Sequence, residues 1–151
     1  MNYAIYRSAN RFSILCFIVA APKERPPVTQ KRLLSVDDDA HILSIIQAVA
    51  VDLGFWVEAL SESARFMTTY NRVKPDIITL DVMMPDMDGI EIIQWLNDIE
   101  STASVIIVSG GARMYMKLGE KLALARGSLR TTLLTKPFTI DDLRKVLIEA
   151  L

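Results

Sequence analysis

Residues 76–89 read DIITLDVMMPDMDG, and this stretch decides the fold. Its first part, 76–80, is apolar after the initial aspartate, which is typical of a strand buried on both faces of a parallel sheet. Asp81 stands at the carboxyl edge of that strand, and residues 83–89 (MMPDMDG) form a turn. Open parallel sheets bind their ligands outside the carboxyl ends of their strands. The sequence therefore predicts a functional carboxylate at position 81.

Apolar and amphipathic segments alternate on both sides of this stretch. We predict the other strands over 31–36, 55–59, 105–108 and 131–134. We predict helices over 40–53, from Ser61 to before Pro75, and over 90–99, 114–126 and 139–151, with Ser61 as a cap and Gly54 and Gly127 as stop signals. Five β/α units in this order favour a parallel sheet with helices on both faces and right-handed crossovers.

The residues predicted at the carboxyl ends of the strands form one chemical set: Asp37, Asp38, Asp81, Ser109 and Lys136. Carboxylates crowded at one edge repel and raise one another's pKa unless a cation lies among them. A hard divalent ion with oxygen ligands, by preference Mg²⁺, resolves this repulsion and leaves coordination positions for phosphate oxygens. An aspartate can then attack phosphorus, while the metal, the lysine and the hydroxyl neutralise the charge on the phosphoryl oxygens.

Four short motifs carry a resemblance to a known family. They are SVDDD at 35–39, TLDVMMPDMDG at 79–89, VSG at 108–110 and LTKPF at 134–138. In this joint spacing they resemble the motifs of two-component response-regulator receiver domains, over about residues 31–151. The resemblance implies an α/β, flavodoxin-like (βα)5 three-layer sandwich with a five-stranded parallel sheet in the order 2-1-3-4-5.

The resemblance also implies a magnesium site. Asp38, Asp81 and the backbone carbonyl of Met83 would ligate Mg²⁺, and Asp37 would assist the metal through water. The side chain of Met83 would take no part in binding the metal.

The phosphoryl chemistry follows from the same resemblance. Asp81 would be the phosphoacceptor, with a sensor histidine kinase or a phosphotransfer protein as the donor. Ser109 would bind a phosphoryl oxygen, and Lys136 would contact both the phosphate and Asp81. A cis peptide before Pro137 is implied as well, since an X-Pro bond adopts cis at low cost.

Several of these residues also have a plainer interpretation. Residues 37–39 could be a solvated group of acids at a helix N-terminus, favoured by the helix dipole, and we expect Asp39 to act as a cap rather than a ligand. Ser109 could be an ordinary hydroxyl at a strand end, and Lys136 a solvated loop charge. His41 is interpreted as a surface or capping residue rather than a phosphohistidine.

The sequence departs from the family pattern near its output region. Many receivers carry Tyr or Phe three residues before the lysine, and here that position is Leu133. We therefore expect any switch to work through the Ser109 loop and the following helix. The segment between Ser109 and Lys136 is longer than in the single-domain chemotaxis regulator and resembles receivers fused to cyclic-di-GMP phosphodiesterase domains. We expect a stand-alone or truncated receiver that switches a protein-interaction surface for an unknown output protein, with homodimer formation left open.

Two other functions compete with this interpretation. A phosphatase with an aspartate nucleophile needs a second aspartate two residues on, where this chain has Met83, so we expect no dedicated enzyme beyond Mg-dependent self-phosphorylation and autodephosphorylation. Autodephosphorylation should be slow, because neither Met83 nor Gly111 can orient an attacking water. The alternative function is a receiver-like interaction module that works without phosphorylation.

Length and charge limit the classes of function. With 151 residues, 51% of them hydrophobic, the chain suits one domain with one core. Residues 1–32 hold six Lys and Arg against one Glu, about +5, and the remainder carries about −6, so the net charge is −1. We expect no direct binding to nucleic acid or to an anionic membrane surface. The single cysteine, Cys16, cannot form an internal disulfide and fits a reducing compartment.

Residues 1–29 are interpreted as an N-terminal extension, and the folded receiver domain is expected over 30–151. The apolar run 12–21 (FSILCFIVAA) follows two arginines and resembles a weak secretory signal, but it is about half the length of a membrane span. A mis-assigned start codon or a disordered extension is the simpler interpretation, because the phosphoryl donors are cytoplasmic. We therefore expect a cytoplasmic protein with no membrane segment.

Overall fold

The computed structural model describes residues 30–84, 89–110 and 129–151, which form an α/β fold. Its strands are β1 (Arg32–Val36), β2 (Trp56–Leu60), β3 (Ile77–Asp81), β4 (Ser104–Ser109) and β5 (Thr131–Thr135). Its helices are α1 (Ala40–Asp52), α2 (Phe66–Val73), α3 (Gly89–Asp98) and α4 (Ile140–Glu149), with a 3₁₀ turn at Ser63–Arg65. All strand pairs are parallel, and the order β2-β1-β3-β4-β5 confirms the predicted sheet.

Helices cover both faces of the sheet, and successive residues of each strand point to opposite faces. Leu34 and Ile78 lie in one core cluster together with side chains from α2 and α3. Leu33 and Ile77 lie in the second cluster, with side chains from α1 and α4. All five residues of β3 are buried, as predicted for the central strand. The described elements therefore form the three-layer sandwich that the resemblance implied.

Four strands, β2 to β5, reach one residue farther than predicted, and in β3 and β4 this places functional side chains within the sheet. Asp81 is the last residue of β3 and pairs with Val108, and Ser109 is the last residue of β4 and pairs with Thr135. Parallel pairing to the next strand thus extends both strands past their apolar segments. Asp81 and Ser109 consequently belong to hydrogen-bonded strands rather than to free loops.

The predicted start of the second helix was wrong. Ser61 is exposed and caps nothing; the helix α2 begins at Phe66 after the 3₁₀ turn, without a side-chain cap. Phe66 is fully buried, so packing of its ring rather than a capping hydroxyl fixes this helix start. The helix predicted over 114–126 with its stop at Gly127 lies outside the described residues.

The caps of α1 and α4 position the chain beside the sheet edge. The side chain of Asp39 accepts a hydrogen bond of 2.8 Å from the His41 amide, which confirms it as the N-cap of α1. Gly54 follows the helix with φ 86°, a left-handed conformation that glycine adopts without strain. Thr139 and Asp142 form a reciprocal capping box at the start of α4, directly after the loop that holds Lys136.

Candidate functional site

Four neighbouring segments bring the predicted polar residues to one edge of the sheet. Asp37 follows β1, Asp81 ends β3, Ser109 ends β4 and Lys136 follows β5. Because β1, β3, β4 and β5 lie side by side in that order, their carboxyl ends form one continuous rim. The side chains that the sequence separates by up to a hundred positions therefore meet there.

Three carboxylates form the acidic part of the site. Asp37, Asp38 and Asp81 each offer one oxygen, and these oxygens all lie within 4.8 Å of one another. Asp37 is 1% and Asp81 7% exposed, whereas Asp38 is exposed. Two largely desolvated negative groups beside a solvated one form a site that favours a cation.

Lys136 supplies a cation to the two buried carboxylates. Its Nζ lies 2.8 Å from Asp37 Oδ2 and 2.8 Å from Asp81 Oδ2. The Lys136 amide also donates a 2.8 Å hydrogen bond to the Ser109 carbonyl, and the peptide bond to Pro137 is cis, as the resemblance implied. The prediction named the contact of Lys136 with Asp81 but missed the equally short one with Asp37.

Burial and charge act in opposite directions on this ion pair. Burial raises the pKa of Asp37 above its ordinary value, even though hydrogen bonding to Lys136 lowers it. Burial by itself lowers the pKa of Lys136, but its hydrogen bonds to Asp37 and Asp81 outweigh this and raise it. Lys136 therefore stays charged, while Asp37 is a buried carboxylate whose negative charge is not fully compensated by one lysine.

The hydroxyl of Ser109 points into the protein without a hydrogen-bond partner in the described part of the chain. The residue is 2% exposed, so bulk water does not supply the missing hydrogen bond. An unsatisfied buried hydroxyl is unfavourable by roughly 1–3 kcal/mol. Its place beside Asp81 and Lys136 suits a group that donates to a ligand oxygen.

A second buried polar pair lies directly behind the carboxylates. Thr79 Oγ1 donates to Ser35 Oγ at 2.8 Å, and both side chains are buried. Ser35 precedes Asp37 by two residues and Thr79 precedes Asp81 by two, so the pair ties β1 to β3 on the strand face that leads to the site. Sequence reasoning missed this contact, since neither residue stands out in an apolar strand.

The turn after β3 holds Asp81 by backbone contacts. The Met83 amide donates a 3.0 Å hydrogen bond to Asp81 Oδ1, and the Met83 side chain is 64% exposed. Gly89 begins α3 so close to this turn that a Cβ there would lie 2.7 Å from both the Asp81 carbonyl oxygen and Val82 Cα. Glycine is thus required at 89 for close approach, a role that the sequence analysis did not assign. Residues 85–88 lie outside the described part.

Gly89→Ala is therefore expected to destabilise the fold by roughly 1–3 kcal/mol, because both neighbours of the new methyl group are backbone atoms that must shift. Alanine favours helix by up to about 1 kcal/mol over glycine, so a net loss would report the clash rather than helix propensity. The measurement is urea unfolding. Gly110→Ala is the matched control, since a Cβ at Gly110 meets no atom of the described residues within 4 Å. Equal stability of the two variants would contradict the steric role of Gly89.

Comparison with known proteins identifies the family that carries this arrangement. The family model of the response regulator receiver domain matches residues 33–148, which include every residue of the site. The chain belongs to this family.

Similarity to individual proteins agrees with the receiver family. The chain is 32% identical over 120 residues to the chemotaxis protein CheY of Listeria monocytogenes, covering 79% of this chain and 97% of that protein. It is 26% identical to the transcriptional regulatory protein TrcR of Mycobacterium tuberculosis, over 74% of this chain and 42% of the relative. A CheY-like receiver domain from Methanospirillum hungatei has the same fold, with TM-score 0.69, 23% identity and coverage of 80% and 93%.

Membership of the receiver family defines the general activity. Receiver domains accept a phosphoryl group on an aspartate from a kinase or phosphotransfer partner and pass the signal to output proteins, so a phosphorylation-independent module is not favoured.

Leu133, where many receivers have an aromatic residue, lies on β5 and is 45% exposed. Within the residues that the structure describes, no helix is long and apolar enough to cross a bilayer.

Proposed function

We propose that Asp81 is the phosphoacceptor of this receiver domain and that a sensor histidine kinase or a phosphotransfer protein supplies the phosphoryl group. The observation that carries the proposal is the contact of Asp81 Oδ2 with Lys136 Nζ at 2.8 Å, beside the Ser109 hydroxyl, which has no hydrogen-bond partner among the described residues. The ammonium group lies against the carboxylate whose oxygen acts as the nucleophile. No other carboxylate of the described residues combines contact with Lys136 and a place at the end of the central strand.

The transfer exchanges one bond to phosphorus for another. An oxygen of Asp81 forms a bond to phosphorus as the bond between phosphorus and the donor imidazole nitrogen breaks, and that imidazole takes up a proton. Lys136 and the Ser109 hydroxyl then donate hydrogen bonds to phosphoryl oxygens. These donors are already held by β4 and the loop after β5, so little reorganisation is needed as the charge develops.

We propose Mg²⁺ as the cofactor. The carboxylates of Asp37, Asp38 and Asp81 and the backbone carbonyl of Met83 are oxygen donors of the kind that Mg²⁺ prefers, and the three carboxylate oxygens are close enough to share one ion. Asp37 is assigned a contact through water, as the family resemblance implies. When bound, the ion would neutralise charge on the carboxylates and phosphoryl oxygens.

The output is proposed to be a change of a protein-interaction surface rather than a dedicated enzymatic reaction. A new charge on Asp81 would draw the Ser109 hydroxyl and the Lys136 ammonium toward the phosphoryl group and shift a pre-existing conformational equilibrium. Since position 133 is leucine, the change would pass through the loop after Ser109 rather than through an aromatic side chain. Homodimer formation is one form that this output can take.

Beryllium fluoride, which imitates an acyl phosphate, is therefore expected to change self-association or partner binding. Self-association is measured by sedimentation velocity, and binding of the candidate output partner by pull-down. Each measurement is made with and without beryllium fluoride. Asp81→Asn is the control and should show no response. Identical association of the wild type in both states would contradict a phosphorylation-dependent surface.

The lifetime of the phosphoryl group is expected to be long, because the exposed Met83 thioether cannot orient an attacking water toward phosphorus. Met83→Asn places an amide at the same position and should shorten the half-life by roughly tenfold, in line with a positioned general-base or water-orienting group. Decay of the protein-bound phosphoryl group after removal of the donor measures this. Met83→Leu is the control of similar size without a polar group, and an unchanged half-life for the asparagine variant would refute the explanation.

A further inference from the structure

A polar cleft lies at the amino-terminal edge of the sheet, opposite to the phosphorylation site. Its volume is about 380 Å³, and the charged side chains of its lining are Lys31, Arg32, Lys74, Asp76 and Arg130; Leu151, which bears the terminal carboxylate, lines it as well. These residues precede or begin strands β1, β3 and β5. A water molecule occupies roughly 30 Å³ of liquid, so the cleft has room for a ligand larger than a single water or monatomic ion.

Of the four cations in this cleft, Arg32 is the one that forms an ion pair with an acid among the described residues. Arg32 is held by Asp76 through its backbone amide at 2.8 Å and its Nε at 3.1 Å, and it also donates to the Val73 carbonyl at 3.2 Å. This pair lowers the pKa of Asp76, although burial by itself raises it. The charges of Arg32 and Asp76 thus cancel, and the pair lines one side of the cleft.

The remaining three cations form no ion pair with an acid in the described part of the chain, although the charge of Lys31 contributes to lowering the pKa of Asp76. Among the described residues, the Lys74 side chain donates to the Asn71 side-chain oxygen at 3.3 Å, and its Nζ lies 5.8 Å from the centre of the Tyr70 ring. Lys31 and Arg130 are exposed and have neither a hydrogen bond from their side chains nor an ion pair among the described residues. Three separate segments therefore give one concave surface a net positive charge.

This concentration of positive charge contrasts with the rest of the domain. Residues 33–151 carry about −6 in total, so a concave surface with a net positive charge stands out on an acidic domain. The exposed hydroxyl of Thr102 lies in the same lining and adds a neutral donor. The lining is mostly polar, unlike the apolar walls of typical pockets for uncharged small molecules.

We propose that this cleft binds a small anion with two or more phosphate groups, of the size class of a nucleotide or an inorganic oligophosphate. The arginine supplies a planar set of donors that matches phosphate oxygens, and the two lysines supply point charges. The cations surround a concave surface instead of forming a flat stripe, which favours a compact ligand over an extended acidic macromolecule. The inference does not depend on phosphoryl transfer at Asp81, since the two sites lie at opposite ends of the strands.

The test uses inorganic tripolyphosphate as the probe, titrated into the full chain without divalent ions at low salt. Calorimetry measures the affinity, and amide chemical shifts locate the binding. We compare the wild type with the double variant Lys31→Gln/Arg130→Gln; both side chains are exposed and make no hydrogen bonds among the described residues. Arg65→Gln is the matched control, because Arg65 is 67% exposed and follows β2 at the opposite edge of the sheet.

We expect saturable binding that weakens as salt rises, with shifts at Lys31, Lys74 and Thr102. Loss of two charge-assisted contacts should reduce the affinity at least about tenfold, whereas Arg65→Gln should leave it unchanged. Binding that does not saturate, equal loss in the control, or shifts confined to Asp81 and Lys136 would overturn the proposal. Tighter binding of a poly-glutamate peptide through the same residues would overturn the assignment to a small anion.

Discussion

Lys136→Met is expected to lower the free energy of unfolding by about 2–3 kcal/mol at neutral pH in the absence of divalent ions, and to slow phosphoryl uptake by about a hundredfold. The first effect follows because the substitution leaves Asp37 and Asp81 facing each other without the cation that contacts both at 2.8 Å. Removing one partner of a buried ion pair costs about 3–5 kcal/mol, and the 23% exposure of the Lys136 side chain reduces this. The second effect follows because one donor to the developing phosphoryl charge is lost.

Two conditions distinguish this electrostatic effect from lost packing. Mg²⁺ should restore much of the lost stability, since an ion that binds the carboxylates of the folded state stabilises it by mass action. The loss should also shrink as the pH falls, because protonation removes the negative charges that Lys136 compensates. Burial raises the pKa of Asp37, so its part of the loss should fade at a higher pH than for an ordinary carboxyl.

The wild type should show the complementary dependence at high pH. Because the pKa of Lys136 is raised in the folded state, its contribution is fully present below the unfolded value of 10.5 and is lost as the pH rises through the folded value. Urea unfolding in EDTA and in Mg²⁺ at several pH values measures both effects. Lys145→Met, an exposed position on α4, is the control. A Lys136→Met protein as stable as the wild type in EDTA at neutral pH would contradict the role assigned to the ion pair.

The fold and most of the site could be predicted because local sequence and topology agree. The apolar residues of β3 can be buried only in a sheet that is covered on both faces. Because a helix connects each strand to the next, all strands run in the same direction. Once the strands are parallel, Asp37, Asp81, Ser109 and Lys136 must share one edge. The structure brings these four residues together as the sequence indicated.

The features that were missed depend on distances that no local pattern encodes. The close approach of Gly89 to Asp81 and Val82 depends on where α3 packs, although the glycine within MMPDMDG is a signal that could have raised the question. The contact of Lys136 with Asp37 joins residues 99 positions apart, and the start of α2 depends on burial of Phe66 rather than on Ser61. The cleft at the amino-terminal edge arises in the same way, since Lys31, Lys74 and Arg130 are ordinary charges until the sheet brings them together.

The central claim is that Asp81 alone accepts the phosphoryl group. An alternative acceptor must be considered because Asp37 and Asp38 also offer carboxylate oxygens within 4.8 Å of Asp81. Asp37 differs from Asp81 because burial raises the pKa of its carboxyl group. Asp38 differs because it is exposed and has no contact with a lysine among the described residues. Asp81→Asn keeps the shape of the side chain while removing the nucleophilic carboxylate, so it separates these alternatives without opening a cavity.

The most direct measurement is the intact mass of the protein after incubation with acetyl phosphate and Mg²⁺. The account predicts that the wild type gains the mass of one phosphoryl group, that EDTA prevents the gain, and that Asp81→Asn and Asp81→Ala show none. Asp98→Asn, an exposed acid at the end of α3, should gain mass as the wild type does. A phosphoryl adduct of equal yield on the Asp81 variants would contradict the assignment of this residue as the acceptor.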